Sequence, residues 1–397
     1  MEHYQDVEIQ LNEMLEELYS DDTLMPPCTL EGDIISDFNR RCVHYIKILE
    51  KYRKENLTSL RIDLLIKRVK KIQEGITTSL QDFLAGDIKK AHDDFEETFS
   101  DNLINKHILR ATILLKDICN DCQPLYRVRK SDTPLTTREE IFHIPFSNRH
   151  LVSAQRYSVA GLPCLYLGSS LYVCWQEMNK PDFDKLYISS FTSEDIKSKV
   201  LNFAPHLTVS TNIIRNIKDQ EKLIESNRIK GSYLVLWPLI ISCSYIKKHA
   251  NSSFTQEYII PNLLMQWISQ RSQSPIVGIA YSSTRMKKII NSKLSINVVF
   301  PPKATYKQMK NSDYCPRLSS LFQFTPPISW QVLKTLEYQR PAEKTPEQDR
   351  AVRFLDRKER FTGITDFDSD IIRLYPLTDF YKLEVCMDRL FDYSSIK

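Results

Sequence analysis

Glycine is scarce in this chain. Its 397 residues hold eight glycines, where ordinary usage of about 7% would supply several times as many. Loops that cradle phosphates cluster glycines, because only a residue without Cβ lets the backbone approach a pyrophosphate closely. The nearest pair, Gly161 and Gly168, fits neither the GxGxxG nor the Walker pattern. Dinucleotide-binding Rossmann folds, P-loop NTPases and protein kinases are therefore poor readings. Long apolar runs are missing too. The best, Tyr233 to Ile241, is nine residues long and contains Pro238, well short of the ~18 that would suggest a membrane span. The stretch from Met1 to Ser20 alternates acidic and apolar residues and does not read as a signal peptide. An excess of one charge is also lacking. Lys and Arg number 54 against 50 Asp and Glu, a net charge of +4, too balanced for a nucleic-acid coat or a polybasic membrane anchor. The nine cysteines are odd in number and scattered from Cys28 to Cys386, so reduced thiols and a cytoplasmic location are expected. Cys119 and Cys122 form a CxxC with no second CxxC or His pair at zinc spacing, so no metal is expected.

What is present changes in texture along the chain. Up to about residue 120 apolar residues recur at helical spacing. Val7, Leu11 and Leu18 form one stripe; Phe38, Cys42, Tyr45 and Leu49 a second; Leu57, Leu60, Leu64, Val69 and Ile72 a third. A fourth run is broken at Gly86 and resumes with Ile88, and a fifth spans Leu103 to Ile118. The basic cluster Lys67, Arg68, Lys70 and Lys71 reads as a solvated helix face, and no nucleic-acid partner is expected. From Pro124 to about residue 305, short β-rich runs alternate with turns and helices: Cys164 to Leu167, Lys185 to Ser190, Tyr233 to Ser244, Ile276 to Tyr281 and Ile296 to Phe300. Glu257 to Ile268 reads as a helix with Pro261 early in it. Residues 306 to 397 are punctuated by prolines, with Thr345-Pro346-Glu347 as a helix start. The pattern predicts an α+β chain with boundaries at 1–122, 123–305 and 306–397: a helical bundle, a mixed α/β domain and a partly helical extension.

Candidate chemistry clusters in the middle segment. Alternation places Arg127 and Arg129 on one face of a strand. Arg156 and Tyr157 precede a turn through Gly161-Leu-Pro163 into a strand that carries Tyr166. Ser169-Ser170 then has the makings of a cap for a helix carrying Leu171, Val173, Cys174 and Glu177. Much later, Gly278-Ile-Ala-Tyr-Ser-Ser-Thr-Arg285 puts the hydroxyls of Ser282 and Ser283 just beyond a strand, where α/β folds place functional groups.

Together these segments closely resemble the RES-domain family, named for an Arg, a Glu and a Ser. The strings are Tyr126-Arg-Val-Arg129, Phe142-His-Ile-Pro-Phe146, the run from Arg156 to Ser170, Cys174-Trp-Gln-Glu177 and Gly278 to Arg285. The resemblance covers residues 124 to about 305. It is most specific between Arg156 and Glu177, where a tyrosine stands ten residues after the arginine and a glutamate eleven further on. It implies an ADP-ribosyltransferase-like fold and a toxin that consumes NAD, by hydrolysis or phosphorolysis, or passes ADP-ribose to protein. By resemblance Arg156, Glu177 and Ser283 are the catalytic set and Tyr166 the family tyrosine, with Arg127, Arg129, Tyr157 and Ser282 as further substrate-binding residues. Whether Ser282 or Ser283 takes the family serine, and whether Arg127 or Arg156 holds the substrate, stays open at this level. NAD would be the substrate, with no bound cofactor.

The residue types suit that chemistry. Cleaving the ribose–nicotinamide bond builds positive charge on the sugar, which a carboxylate can stabilise, and arginine forks can clamp a pyrophosphate without a glycine loop. The N-terminal helices resemble, more weakly, the HEPN-like modules that accompany some RES domains, with Arg40 and His44 one helical turn apart. That resemblance implies a sensor, oligomerisation or autoinhibitory unit, a homo-oligomer, and an antitoxin or regulatory partner. The alternatives are a protein ADP-ribosyltransferase that keeps the same site and changes the acceptor and, from another class, a non-catalytic middle domain joined to a helical ribonuclease.

Overall fold

The computed structural model describes residues 2–54, 61–204, 219–249, 251–271, 273–286, 293–331, 335 and 374–396. Leu57, Leu60 and the Thr345-Pro346-Glu347 helix start lie outside the described residues. The chain is mixed α/β, with a helical N-terminal region, and it divides into two compact units. One takes Met1–Thr112, Ala154–Val159 and Leu201–Ile276; the other takes Ile113–Ser153, Ala160–Val200 and Val277–Lys397. This division differs from the boundaries expected at 122 and 305. Among the described residues no helix is long and apolar enough to cross a membrane.

The first unit is helical, built from Glu2–Ser20, Ile34–Lys54, Ile62–Leu84, Ile88–Ser100, Asn102–Arg110, Gln220–Cys243 and Ile259–Gln270. The expected break at Gly86 is there: Gly86 takes a φ of 93°, open to a residue without Cβ, and Asp87 then accepts from the Lys90 amide to start the next helix. The fifth periodic run is shorter than expected and stops at Arg110. The larger correction concerns Tyr233 to Ser244, which reads as a β run but is the C-terminal half of the Gln220–Cys243 helix. Every residue from Ser232 to Cys243 is buried, so no polar face interrupts the run, and periodicity cannot separate a fully buried helix from a strand. That helix packs against Glu2–Ser20, Ile62–Leu84 and Asn102–Arg110, and each fully buried Leu or Ile contributes about 1.5–3 kcal/mol.

Nine strands run among the described residues: β1 (Thr112–Leu114), β2 (Leu125–Lys130), β3 (Leu165–Gly168), β4 (Leu186–Thr192), β5 (Lys199–Phe203), β6 (Ile276–Ser282), β7 (Ile296–Phe300), β8 (Gln323–Phe324) and β9 (Ile328–Ser329). The second unit is organised on the order β6-β7-β3-β2-β4-β8, with β9 also on β4. The registers that bear on the site are antiparallel: Tyr281 faces Asn297, Asn297 faces Gly168, and Gly168 faces Tyr126. One sheet face carries a core of Tyr126, Leu171, Tyr172, Val173, Ile188, Trp330, Phe380 and Leu383. The Leu171–Glu177 and Asp379–Leu390 helices supply several of these residues. Residues 374–396 are therefore part of this unit's core rather than an appended tail.

Candidate functional site

The site in the second unit begins at Gly168. β3 ends there, and Ser169 and Ser170 turn the chain into the Leu171–Glu177 helix. A Cβ on Gly168 would lie 2.6 Å from Cys174 Sγ and 2.6 Å from Val173 Cγ1, so a glycine lets the helix fold back tightly onto its own strand. Ser169 Oγ accepts from the Ile296 amide at 3.0 Å. Ser170 is the expected cap: its Oγ accepts from the Val173 amide at 3.1 Å and donates to the Leu294 carbonyl at 2.7 Å. Both serines thus tie the start of the helix to the entry of β7. Glu384, from the Asp379–Leu390 helix, accepts from the Leu171 amide at 2.7 Å and from the Tyr375 hydroxyl. Burial pushes its carboxyl up to about 8.

At the other end of this short helix stands Glu177. Its Oε1 accepts from Ser283 Oγ at 2.6 Å and from Asn297 Nδ2 at 2.7 Å. Its Oε2 lies 3.3 Å from Arg285 Nε, and the Arg285 guanidinium also donates to Asn179 Oδ1. Ser283 is 1% exposed and Asn297 5%, whereas the Glu177 side chain keeps 32% of its surface. Two buried donors therefore orient a carboxylate that solvent or a ligand can still reach. The Ser283 hydroxyl is itself held by the Arg285 amide, which donates to it at 3.2 Å. Among the described residues no thiolate nucleophile stands beside this carboxylate. Cys174 donates to the Tyr126 carbonyl at 3.3 Å, and burial pushes its thiol up to about 12. Among the described residues no group of three His, Cys, Asp or Glu side chains could hold a metal ion.

Strand alternation places the two serines on opposite faces. Ser282 pairs with Ile296 and Tyr281 with Asn297, so Ser283 falls on the Asn297 side and Ser282 on the reverse. Ser282 Oγ is buried without a partner among the described residues. The same rule separates the arginines of β2. Tyr126 shares its face with Gly168 and Asn297, which leaves Arg127 and Arg129 on the opposite face. There Arg127 donates to the Tyr166 carbonyl at 3.0 Å, and Arg129 to the Glu140 carbonyl. Burial, with Arg129 beside it, lowers the Arg127 guanidinium to about 10. Tyr166 lies on β3 two residues before Gly168, half-buried, on the Gly168 face.

Arg156 and Tyr157 fall in the helical unit. Arg156 is 6% exposed; it donates to the Cys243 carbonyl at 3.0 Å, at the end of the Gln220–Cys243 helix, and lies 5.1 Å over the Tyr258 ring. A cation at a helix C-terminus complements the local dipole, so Arg156 has a structural part in that unit. Tyr157 is 1% exposed. The HEPN-like pair is likewise engaged: Arg40 pairs with Glu31 and Asp37, and His44 Nε2 lies 2.6 Å from Asp21 Oδ2. Asn297 and Arg285 are the site residues that sequence reasoning missed. A lone asparagine inside Ile296-Asn-Val-Val-Phe300 was the available signal for the first, and Arg285 closes the Gly278 string.

No family model matches the chain. It is 32% identical over 277 residues, 68% of its own length, to a Bacillus subtilis (strain 168) protein named "Putative toxin YopC". The chain spans 60% of the length of that curated relative.

Proposed function

We propose that this protein is a toxin that cleaves the nicotinamide–ribose bond of NAD in the cytoplasm, with Glu177 as its central catalytic group. The observation that carries this reading is the Glu177 carboxylate, oriented by Ser283 and Asn297 yet accessible. The name of the Bacillus subtilis relative supports the toxin role, and the resemblance of the Arg156–Glu177 run to RES domains supports the substrate and an ADP-ribosyltransferase-like fold.

In this mechanism Oε1 is occupied by its two donors, and Oε2 accepts a hydrogen bond from a ribose hydroxyl. As the C1′–N bond breaks, the bonding electrons leave with nicotinamide, which departs as a neutral base, and the sugar becomes oxocarbenium-like. The fixed negative charge of Glu177 stabilises that cation, the part carboxylates play in glycoside hydrolysis. Water or phosphate then adds at C1′ and gives up a proton. Arg285, 44% exposed beside Oε2, is placed to meet the substrate's phosphates by charge-assisted hydrogen bonds. Tyr166 is the aromatic candidate for the nicotinamide ring. Arg127 acts as a positioning residue, through the Tyr166 carbonyl.

The test is incubation of the purified full-length chain with NAD, following nicotinamide release, with Glu177→Gln in parallel. Release by the wild type and a loss of about 100-fold or more in the variant is expected, the scale of removing an electrostatic stabiliser. Intact NAD, or equal turnover by both proteins, would reject the reading. NAD labelled in the ADP-ribose half distinguishes transfer to protein from release into small molecules.

A further inference from the structure

The helical unit contains a cavity of about 350 Å³, within the ~300–1,000 Å³ range of small-molecule sites. Its wall is unusually basic. Arg61, Arg68, Arg110 and Arg228 line it together with His107, and among the described residues no carboxylate does. Arg61, Arg68 and Arg110 make no ion pair among the described residues. Among the described residues Arg228 pairs only with Glu225, at 3.4 Å, with both side chains more than half exposed, an arrangement that contributes little. The positive field is felt nearby: burial, with Arg68 and Arg110, lowers the Lys106 ammonium.

His107 adds a second and independent feature. It is 5% exposed, and its Nε2 is buried without a partner among the described residues. The other ring nitrogen, Nδ1, lies 2.9 Å from Ser232 Oγ, and Ser232 donates its one hydroxyl proton to the Arg228 carbonyl at 2.8 Å. Nδ1 therefore carries the ring proton and donates to Ser232, which leaves Nε2 as a bare acceptor. Burial and the neighbouring cations lower the imidazole to about 4, so the ring is neutral near pH 7. A buried acceptor without a donor is costly. Leu65 and the other aliphatic side chains complete the wall with an apolar surface.

We propose that this cavity binds a nucleoside monophosphate, its phosphate on the arginines and a hydroxyl donating to His107 Nε2. Guanidinium forks suit phosphate oxygens, the hydroxyl satisfies the unpartnered nitrogen, and the apolar wall takes the base or the sugar's carbon face. Such a site makes the helical unit a receptor for a nucleotide. It is built from residues other than Glu177, Ser283, Asn297 and Arg285, and it does not depend on the cleavage reaction.

Isothermal titration of the full-length chain tests it, using AMP, inorganic phosphate, adenosine and a short RNA, each against wild type and the Arg68→Ala/Arg110→Ala double variant. AMP should bind at one site, at least tenfold more tightly than phosphate or adenosine. The double variant should lose at least tenfold in AMP affinity while keeping its melting temperature without ligand. His107→Gln, whose amide can turn either an oxygen or an N–H toward the ligand, should bind AMP more weakly than wild type. Absence of AMP binding, equal AMP affinity in the double variant, phosphate as tight as AMP, or RNA binding that AMP does not displace would each overturn the proposal. Heat of binding is read whether or not NAD is cleaved.

Discussion

Ser283 donates its hydroxyl proton to Glu177 Oε1 across 2.6 Å, although the two residues stand 106 positions apart in the chain. β6 delivers the serine, the capped helix after β3 delivers the glutamate, and β7 lies between those strands in the sheet order and contributes Asn297 to the same oxygen. The carboxylate is thus placed by three separate segments.

If that arrangement serves NAD cleavage, the two donors should contribute differently from the carboxylate they hold. Ser283→Ala and Asn297→Ala are each expected to lower the rate by about tenfold, with the pair less than additive because both act on one oxygen. Nicotinamide release under saturating NAD gives the numbers. Loss of activity with Ser282→Ala but not Ser283→Ala would contradict the placement of the two hydroxyls.

The turn at Gly168 leaves no room for a methyl group. Gly168→Ala should destabilise the second unit by about 1–3 kcal/mol, as overpacking does, because the clash is with Val173 and Cys174 of the succeeding helix. Urea denaturation curves are the check. Equal midpoints for variant and wild type would mean the helix shifts without cost.

Ser170 makes two bonds that alanine cannot replace. Ser170→Ala should cost about 1–2 kcal/mol through the lost cap, and it also removes the hydrogen bond to the Leu294 carbonyl. A drop in thermal midpoint should accompany lower NAD turnover, since the helix positions Glu177. Substitution by aspartate, which accepts from the Val173 amide but cannot donate to the Leu294 carbonyl, should recover the cap alone.

Glu384 makes stability depend on pH. Its folded value is raised from 4.5 to about 8 by burial, so the fold favours the protonated form. The stability it contributes is fully present below about pH 4.5 and is lost as pH rises through about 8. Glu384→Gln keeps an acceptor for the Leu171 amide and the Tyr375 hydroxyl but cannot ionise. Its melting temperature should match wild type near pH 5 and exceed it near pH 9. Parallel melting curves across that range would show that the wild-type carboxyl titrates normally.

Much of the fold was legible before any coordinates. The amphipathic helices, the break at Gly86, the Ser170 cap and the strands around Tyr166, Tyr281 and Val298 all announce themselves through local periodicity and turn chemistry, which act over a few residues. Tyr233 to Ser244 failed because a helix buried on every side has no polar face to mark its period.

Sequence alone also determined the chemical types available: a glutamate after a capped turn, serines after a strand, arginines in place of glycine loops. Tertiary structure decided which of them meet. The two-residue period of β6, β7 and β2 turns Ser283 and Asn297 toward Glu177, and Ser282, Arg127 and Arg129 away from that face. The grouping of Ala154–Val159 with the helices gives Arg156 its partners at Cys243 and Tyr258. Pairing across a sheet depends on registers between strands far apart in the chain, and no local pattern encodes those registers.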